Sequence, residues 1–304
     1  MRRTLITVFC AALLAILALG GVAHSAPDAP CSGAAARDLE QHCTNPALRL
    51  RVLPLPEDAL LEVSRPCVTV EVADVWWVCA SGATPERATA TVALIGDSHA
   101  EDTYNALRVV FPDAHIILAS SPGCAAFAPA VHRLPVDPAN VEAMACGRLV
   151  TSIYGDRARL QQADLIVLSS FKSADQRRQI EHTFDYYSKL GRPILVFGNP
   201  PAYTAPLRDI VRVRHLTPDQ PVPAEFIDIT HGESVDAQTR ALAAQYGLHF
   251  VPMRDFFCPH GRCTAWTPDQ TRLVSYDDHH LSRDAAEAFG RAREGPIRAA
   301  AVTR

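Results

Sequence analysis

The chain has 304 residues, 29 Lys and Arg against 33 Asp and Glu, a formal net charge of −4 and 48% hydrophobic residues. Such a length can bury one substantial core, and the composition is that of a globular protein, with no internal repeat to mark a solenoid. A mildly acidic balance argues against a nucleic-acid partner.

Met1 to Ser25 carries Arg2 and Arg3, an apolar run from Leu5 to Leu19, and then Ala23-His24-Ser25 before Ala26. This is the layout of a secretory signal with cleavage after Ser25, and it predicts a periplasmic or secreted protein. An uncleaved membrane anchor is the other reading, because Leu5 to Val22 is just long enough to span. Cys10 falls inside the apolar run; the other eight of the nine cysteines follow it. An even number in an exported chain predicts disulfides, and sequence-local pairing joins Cys31 with Cys43, Cys67 with Cys79, Cys124 with Cys146, and Cys258 with Cys263. His260, between the last two thiols, offers a rival metal site. No second Cys/His pair at zinc-finger spacing accompanies it, so no metal and no cofactor are expected.

Residues 26–90 are rich in proline and cysteine and read as an irregular, disulfide-stapled lead-in. A regular pattern starts at Thr91, making residues 91–304 one α/β domain. Short apolar runs at Thr91 to Ile95, His115 to Leu118, Leu165 to Leu168, Ile194 to Phe197 and His249 to Val251 predict strands. Helical spacing lies between several of them, with Ile180, Phe184 and Tyr187 on one face of Ser173 to Leu190, and Ser234 placed to cap a helix ending at Gly247. Alternating strands and helices predict a three-layer α/β/α sandwich with a mostly parallel central sheet. In such sheets the site lies beyond the carboxyl ends of the strands. Those ends read Gly96-Asp97-Ser98, Ser120 to Gly123, Ser169-Ser170 and Gly198-Asn199, small polar residues that a shared cleft would explain. The Pro-rich stretch Pro200 to Pro223 is long enough to lie over such a cleft, or is an ordinary surface excursion.

Two motifs carry the chemistry. In TVALIGDSHAEDTYNALRVV, Thr91 to Val110, a glycine ends the strand and Glu101 and Asp102 suit the first turn of a helix, so Ser98 falls on a strand-to-helix elbow. An elbow exposes the hydroxyl beside backbone N–H groups; Asp97 and Ser98 could also simply cap the helix. In YDDHHLS, Tyr276 to Ser282, Asp277 and His280 stand three apart, close enough for a carboxylate to orient an imidazole towards a serine. Ser98, His280 and Asp277 are therefore the candidate nucleophile, base and orienting acid. Asp97 is read as bracing the elbow. His99 diverges from Ser98 by about 100° on the helix, which favours a structural or substrate-side role over catalysis.

Together, GDSHA at Gly96 to Ala100 and DxxHLS at Asp277 to Ser282 resemble the SGNH (GDSL-type) hydrolases. Within them the chain most resembles SGNH domains fused to, or partnering, membrane acyltransferases that O-acylate bacterial cell-envelope glycans. The resemblance implies a flavodoxin-like fold and a serine esterase or O-acyltransferase acting on acetyl-type esters of an envelope glycan. A transferase outside the membrane would need a multispanning membrane acyltransferase to supply its acyl group. The resemblance also assigns oxyanion donors to the backbone N–H groups of Ser98 and Gly123, with Cys124 matching the cysteine of acyltransferase-linked members. SGNH enzymes at large have an asparagine after the third strand, where this chain reads LSSFKS; Asn199, after a later strand, is the substitute to test. Ala285 stands where the family usually has glycine. The missing asparagine keeps open a second class of function, a catalytically silent glycan-binding or scaffold protein.

Overall fold

The computed structural model describes the backbone of residues 67–69 and 77–79, and residues 87–120, 123–125, 127–128, 146–147, 150–151, 153–155 and 157–302. All of these fall in one compact unit, Ala34–Arg304. The expected signal segment, the Cys31–Cys43 bond and the thiols of Cys67 and Cys79 lie outside what is described.

Among the described residues seven strands, β1 (Cys67–Thr69), β2 (Trp77–Cys79), β3 (Ala90–Gly96), β4 (Ala114–Ser120), β5 (Leu165–Ser169), β6 (Ile194–Phe197) and β7 (His249–Val251), form one sheet in the order β1-β2-β4-β3-β5-β6-β7. Its centre is β3, flanked by β4 and β5, then β6 and β7, and all five are parallel. These are the strands expected from the apolar runs. β1 and β2 come from the stretch read as a lead-in and extend the β4 edge antiparallel, with Cys67 opposite Cys79. At three residues each they are too short to carry a periodic signal.

The helices follow from what each strand face must bury. Side chains alternate along β3, so Val92 and Leu94 enter one core while Ala93 and Ile95 enter the other. On the first face lie α1 (Ser98–Val110), α4 (Leu207–Arg214), α7 (Arg283–Ala292) and α8 (Glu294–Val302), contributing Leu107, Ile210, Phe289 and Ile297. On the second lie α2 (Arg157–Gln162), α3 (Arg177–Ser188) and α5 (Glu233–Gln245), contributing Leu160, Ile180, Phe184 and Leu242. A short α6 (Arg254–Phe257) follows β7. The fold is thus an SGNH/flavodoxin-like three-layer α/β/α sandwich with a mostly parallel sheet.

Two helix starts illustrate local control. Ser282 accepts from the Ala285 N–H at 3.2 Å and also donates to the Leu273 carbonyl, so one hydroxyl caps α7 and ties it to the preceding loop. Ser234, by contrast, does not cap α5: the helix starts at Glu233 with Gly232 as its cap residue, placing Ser234 inside the first turn. The helix ends as expected near Gly247, whose φ of +69° suits a residue without a Cβ.

α7 crosses α1 at unusually close range. A Cβ on Gly290 would lie 2.5 Å from the Ala106 carbonyl oxygen and 2.8 Å from a Val109 methyl, while Arg108 and Glu287 form an ion pair across the same contact. Since α1 carries Ser98 and α7 follows the His280 segment, this approach sets the distance between the two motifs. Gly290→Ala is expected to lower stability by about 1–3 kcal/mol through overpacking. Urea unfolding measures the loss, and an unchanged midpoint would show that the helices separate without penalty.

Candidate active site

The elbow is a consequence of backbone crowding. Where β3 passes β5, a Cβ on Gly96 would sit 1.7 Å from the Ser169 carbonyl oxygen, so only glycine fits. Asp97 then leaves the strand and caps α1: its Oδ1 accepts from the His99 N–H and its Oδ2 from the Phe171 N–H, both at 2.9 Å. One carboxylate thereby fastens the elbow to the segment after β5. Ser98 opens the helix, so its N–H has no acceptor within it and points with the positive end of the helix dipole.

The second motif meets this elbow. Ser98 Oγ is 2.6 Å from His280 Nε2, and His280 Nδ1 is 2.7 Å from Asp277 Oδ2. Asp277 Oδ1 also accepts the N–H groups of His280 at 2.7 Å and His279 at 2.9 Å. Burial alone would raise the Asp277 pKa. The hydrogen bond and charge of His280, with the two backbone amides, outweigh it and hold the carboxyl well below the usual range. The carboxylate is therefore ionised at any working pH and selects the His280 tautomer with hydrogen on Nδ1. In that tautomer Nε2 is the acceptor that faces the Ser98 hydroxyl.

The loop bearing Asp277 and His280 is fixed from several sides. Ser275 Oγ donates to the His280 carbonyl at 2.6 Å. The backbone N–H groups of Tyr203 and Leu207 donate to the carbonyls of Asp278 and Asp277. Part of Pro200 to Pro223 thus buttresses the base loop through its own backbone.

His99 is buried at 4% exposure, with its ring stacked between those of His280 (4.5 Å, 15°) and Phe171 (4.8 Å, 15°). Burial, then the neighbouring His280 and His279, push its pKa well below the ordinary histidine value, so it stays neutral. His279 pairs with Asp278 through Nδ1 at 2.5 Å. The nitrogens of His99, His279 and His280 gather within 4.8 Å, a density that invites a metal ion. Yet both nitrogens of His280 are engaged by Ser98 and Asp277, and His279 Nδ1 by Asp278, so the arrangement does not fit a shared ion.

Asn199 corrects the expectation of a substitute oxyanion donor. It is fully buried; its Nδ2 donates to the carbonyls of Lys172 at 2.6 Å and His231 at 3.2 Å, and its Oδ1 accepts the Lys172 N–H. Both amide hydrogens are spent on the scaffold. Two of the strand-end serines, Ser169 and Ser170, are likewise turned into the scaffold. Ser169 shares a hydrogen bond with Thr103 and Ser170 donates to the Ala125 carbonyl, and both are buried. Gly123 lies in an exposed turn after β4 with φ +67°. Beside it, Cys124 is bonded to Cys146, and Cys258 to Cys263, so the thiols flanking His260 are bound to each other.

Sequence reasoning missed Lys172, which is fully buried behind the elbow. Its Nζ donates to the carbonyls of Ser170 at 2.7 Å and Phe197 at 2.8 Å. Burial lowers its pKa to about 8 against the opposing charges of Asp236 and Asp97. Both carboxyls are raised by burial to about 6, Lys172 opposing the rise. Asp236 meanwhile accepts the Asn199 N–H at 2.9 Å, so carboxylate, amide and ammonium form one buried network. A lysine in LSSFKS reads as a solvated side chain, and only the strands closing over it reveal otherwise.

Fold and site geometry define an α/β protein of the SGNH type. The chain belongs to the family described as SGNH domain (fused to AT3 domains), whose model matches residues 66–293. Among solved structures it is similar to the lipopolysaccharide acetyltransferase periplasmic domain of Salmonella ser. Paratyphi A. The identity is 12% and the TM-score 0.56, over 71% of this chain and 90% of that one. No curated protein matches the chain.

The buried network yields a pH-dependent test. A carboxyl raised by folding favours the native state below its unfolded value near 4, and that contribution is lost as pH rises through about 6. Removing the ammonium pushes both carboxyls higher and widens the loss. Lys172→Met is therefore expected to cost about 3–5 kcal/mol near neutral pH and distinctly less near pH 5, where both groups protonate. Denaturant unfolding at the two pH values measures this; equal losses would mean that Lys172 balances neither carboxylate.

Proposed function

We propose that this chain is an exported serine O-acyltransferase or esterase that acts on acetyl-type esters of cell-envelope polysaccharide through an acyl-enzyme on Ser98. The observation that carries the reading is the unbroken hydrogen-bonded line from Ser98 Oγ through His280 to the ionised Asp277. A serine hydroxyl is a weak nucleophile near neutral pH, so His280 removes its proton as Oγ attacks the ester carbonyl. The carbonyl becomes a tetrahedral oxyanion, and the Ser98 N–H, at the positive end of α1, donates to it. Gly123, beyond the neighbouring strand, supplies the second donor. His280 then passes its proton to the departing alkoxide, leaving Ser98 acylated. A water or a sugar hydroxyl, deprotonated by the same imidazole, attacks the acyl-enzyme and regenerates Ser98.

Envelope chemistry is supported by location and by kinship. Two disulfides fit an oxidising compartment. The family description joins such domains to AT3 domains, in keeping with a membrane acyltransferase as acyl source. Among the described residues no helix is long and apolar enough to cross a membrane. The acetyltransferase named for the similar structure makes a lipopolysaccharide-type glycan the first acceptor to try.

A fluorophosphonate probe is expected to label the wild type at Ser98 and to leave Ser98→Ala unlabelled. Asp277→Asn, which permits the wrong histidine tautomer, is expected to lower kcat for an aryl acetate by about 10³- to 10⁴-fold. Unlabelled wild-type protein that still binds polysaccharide would replace the enzymatic reading with a binding one. Supplying an acetyl-ester donor with and without glycan separates the two reactions: acetate release indifferent to acceptor, with no acetylated glycan, identifies an esterase.

A further inference from the structure

The helix that presents Ser98 also grips the base. Asp102, one turn after Ser98 on the same side of α1, is 2% exposed, and its Oδ2 accepts the N–H of Leu281, the residue after His280, at 3.0 Å. His99 lays its ring parallel to that of His280. The stack continues on both sides: Tyr276 lies 5.5 Å from His280 at 15°, Phe171 lies 4.8 Å from His99 at 15°, and His231 lies 4.6 Å from Phe171 at 30°. Five rings from four segments stack in succession, and the proposed base is the second of them.

We propose that His99 and Asp102 are positioning residues for His280, His99 through the face of its ring and Asp102 through the Leu281 N–H, so that α1 sets both nucleophile and base in one frame. The bonds from Ser275 and Asp277 shape the base loop from within, and those from Tyr203 and Leu207 hold it from outside α1. Asp102 adds a direct tie from α1 to the loop backbone, and the ring contact restrains rotation of the imidazole. The nitrogens of His99 are not the working part. Neither has a hydrogen-bond partner among the described residues, and the nearest carboxylate oxygen, on Asp102, is 4.0 Å away. A neutral π face also accommodates the imidazolium that His280 becomes during attack, whereas a second cation there would oppose it.

This inference rests on the reading of His280 as the base, and its test separates the two. On an aryl acetate, His99→Leu fills the volume without a flat face and Asp102→Ala removes the acceptor. Each is expected to lower kcat by about 10- to 100-fold with KM within about twofold, the signature of a misplaced base. His99→Phe keeps the face and Asp102→Asn keeps an acceptor oxygen, so both are expected to remain within about fivefold of wild type. Proton NMR gives a readout independent of turnover. The strongly deshielded Nδ1 proton of the His280–Asp277 bond is expected in wild type and in His99→Phe, and broadened or lost in His99→Leu. Thermal melts accompany every variant, so that a kcat loss is scored only in protein folded at the assay temperature. Wild-type kcat in His99→Leu and Asp102→Ala, or a His99→Phe as impaired as His99→Leu, would overturn the proposal. A wild type without ester turnover would defeat the enzymatic reading while the NMR comparison still decided the positioning.

Discussion

The contact on which this molecule turns is the one between the bare Cα of Gly96 and the carbonyl of Ser169. Two parallel strands approach so closely there that a single added carbon would collide with backbone. The chain must leave the sheet at that point, and Asp97 takes it out by capping a helix and bonding the Phe171 amide. Every later feature of the site inherits its coordinates from this exit. Ser98 is placed by it, α1 is aimed by it, and the grip of α1 on the His280 loop carries the same frame to residues some 180 positions away.

A second constraint lies behind the first. Asp97 can bind two amides only while its buried charge is tolerated, and Lys172 is the cation that eases the penalty. Lys172 in turn is tolerated because the carbonyls of Ser170 and Phe197 accept its hydrogens and Asp236 offsets its charge. Such a network adds little net stability, since desolvating three charged groups consumes most of what their attraction returns. Its contribution is geometric: it locks the ends of β5 and β6 behind the elbow.

How much of this could be read from the sequence follows from the range of each interaction. The central strands, the elbow and the Asp277–His280 spacing are local, and each was legible within a stretch of ten residues. Asn199 shows the limit. Its place at a strand end was legible, but its orientation depends on Asp236, which takes the Asn199 N–H from 37 positions later in the chain. Lys172 had no legible signal, because burial of a lysine is decided by what other elements do above it. Ser234 was misread as a cap for a smaller reason: a glycine two residues earlier can also begin a helix, and here it does.

In the proposed reaction, the choice between water and sugar as second nucleophile is a matter of solvent access to the acyl-enzyme. Side chains of His280 and Asp277 retain 14% and 32% exposure, so the site is not sealed by the residues that form it. An acyl group on Ser98 in so open a setting would be hydrolysed unless something displaced the water, and the acceptor glycan itself is the natural candidate. On that view transfer and hydrolysis are one chemistry under two occupancies. A donor protein that acylates Ser98 only while glycan is seated would make the difference without changing any residue of the site.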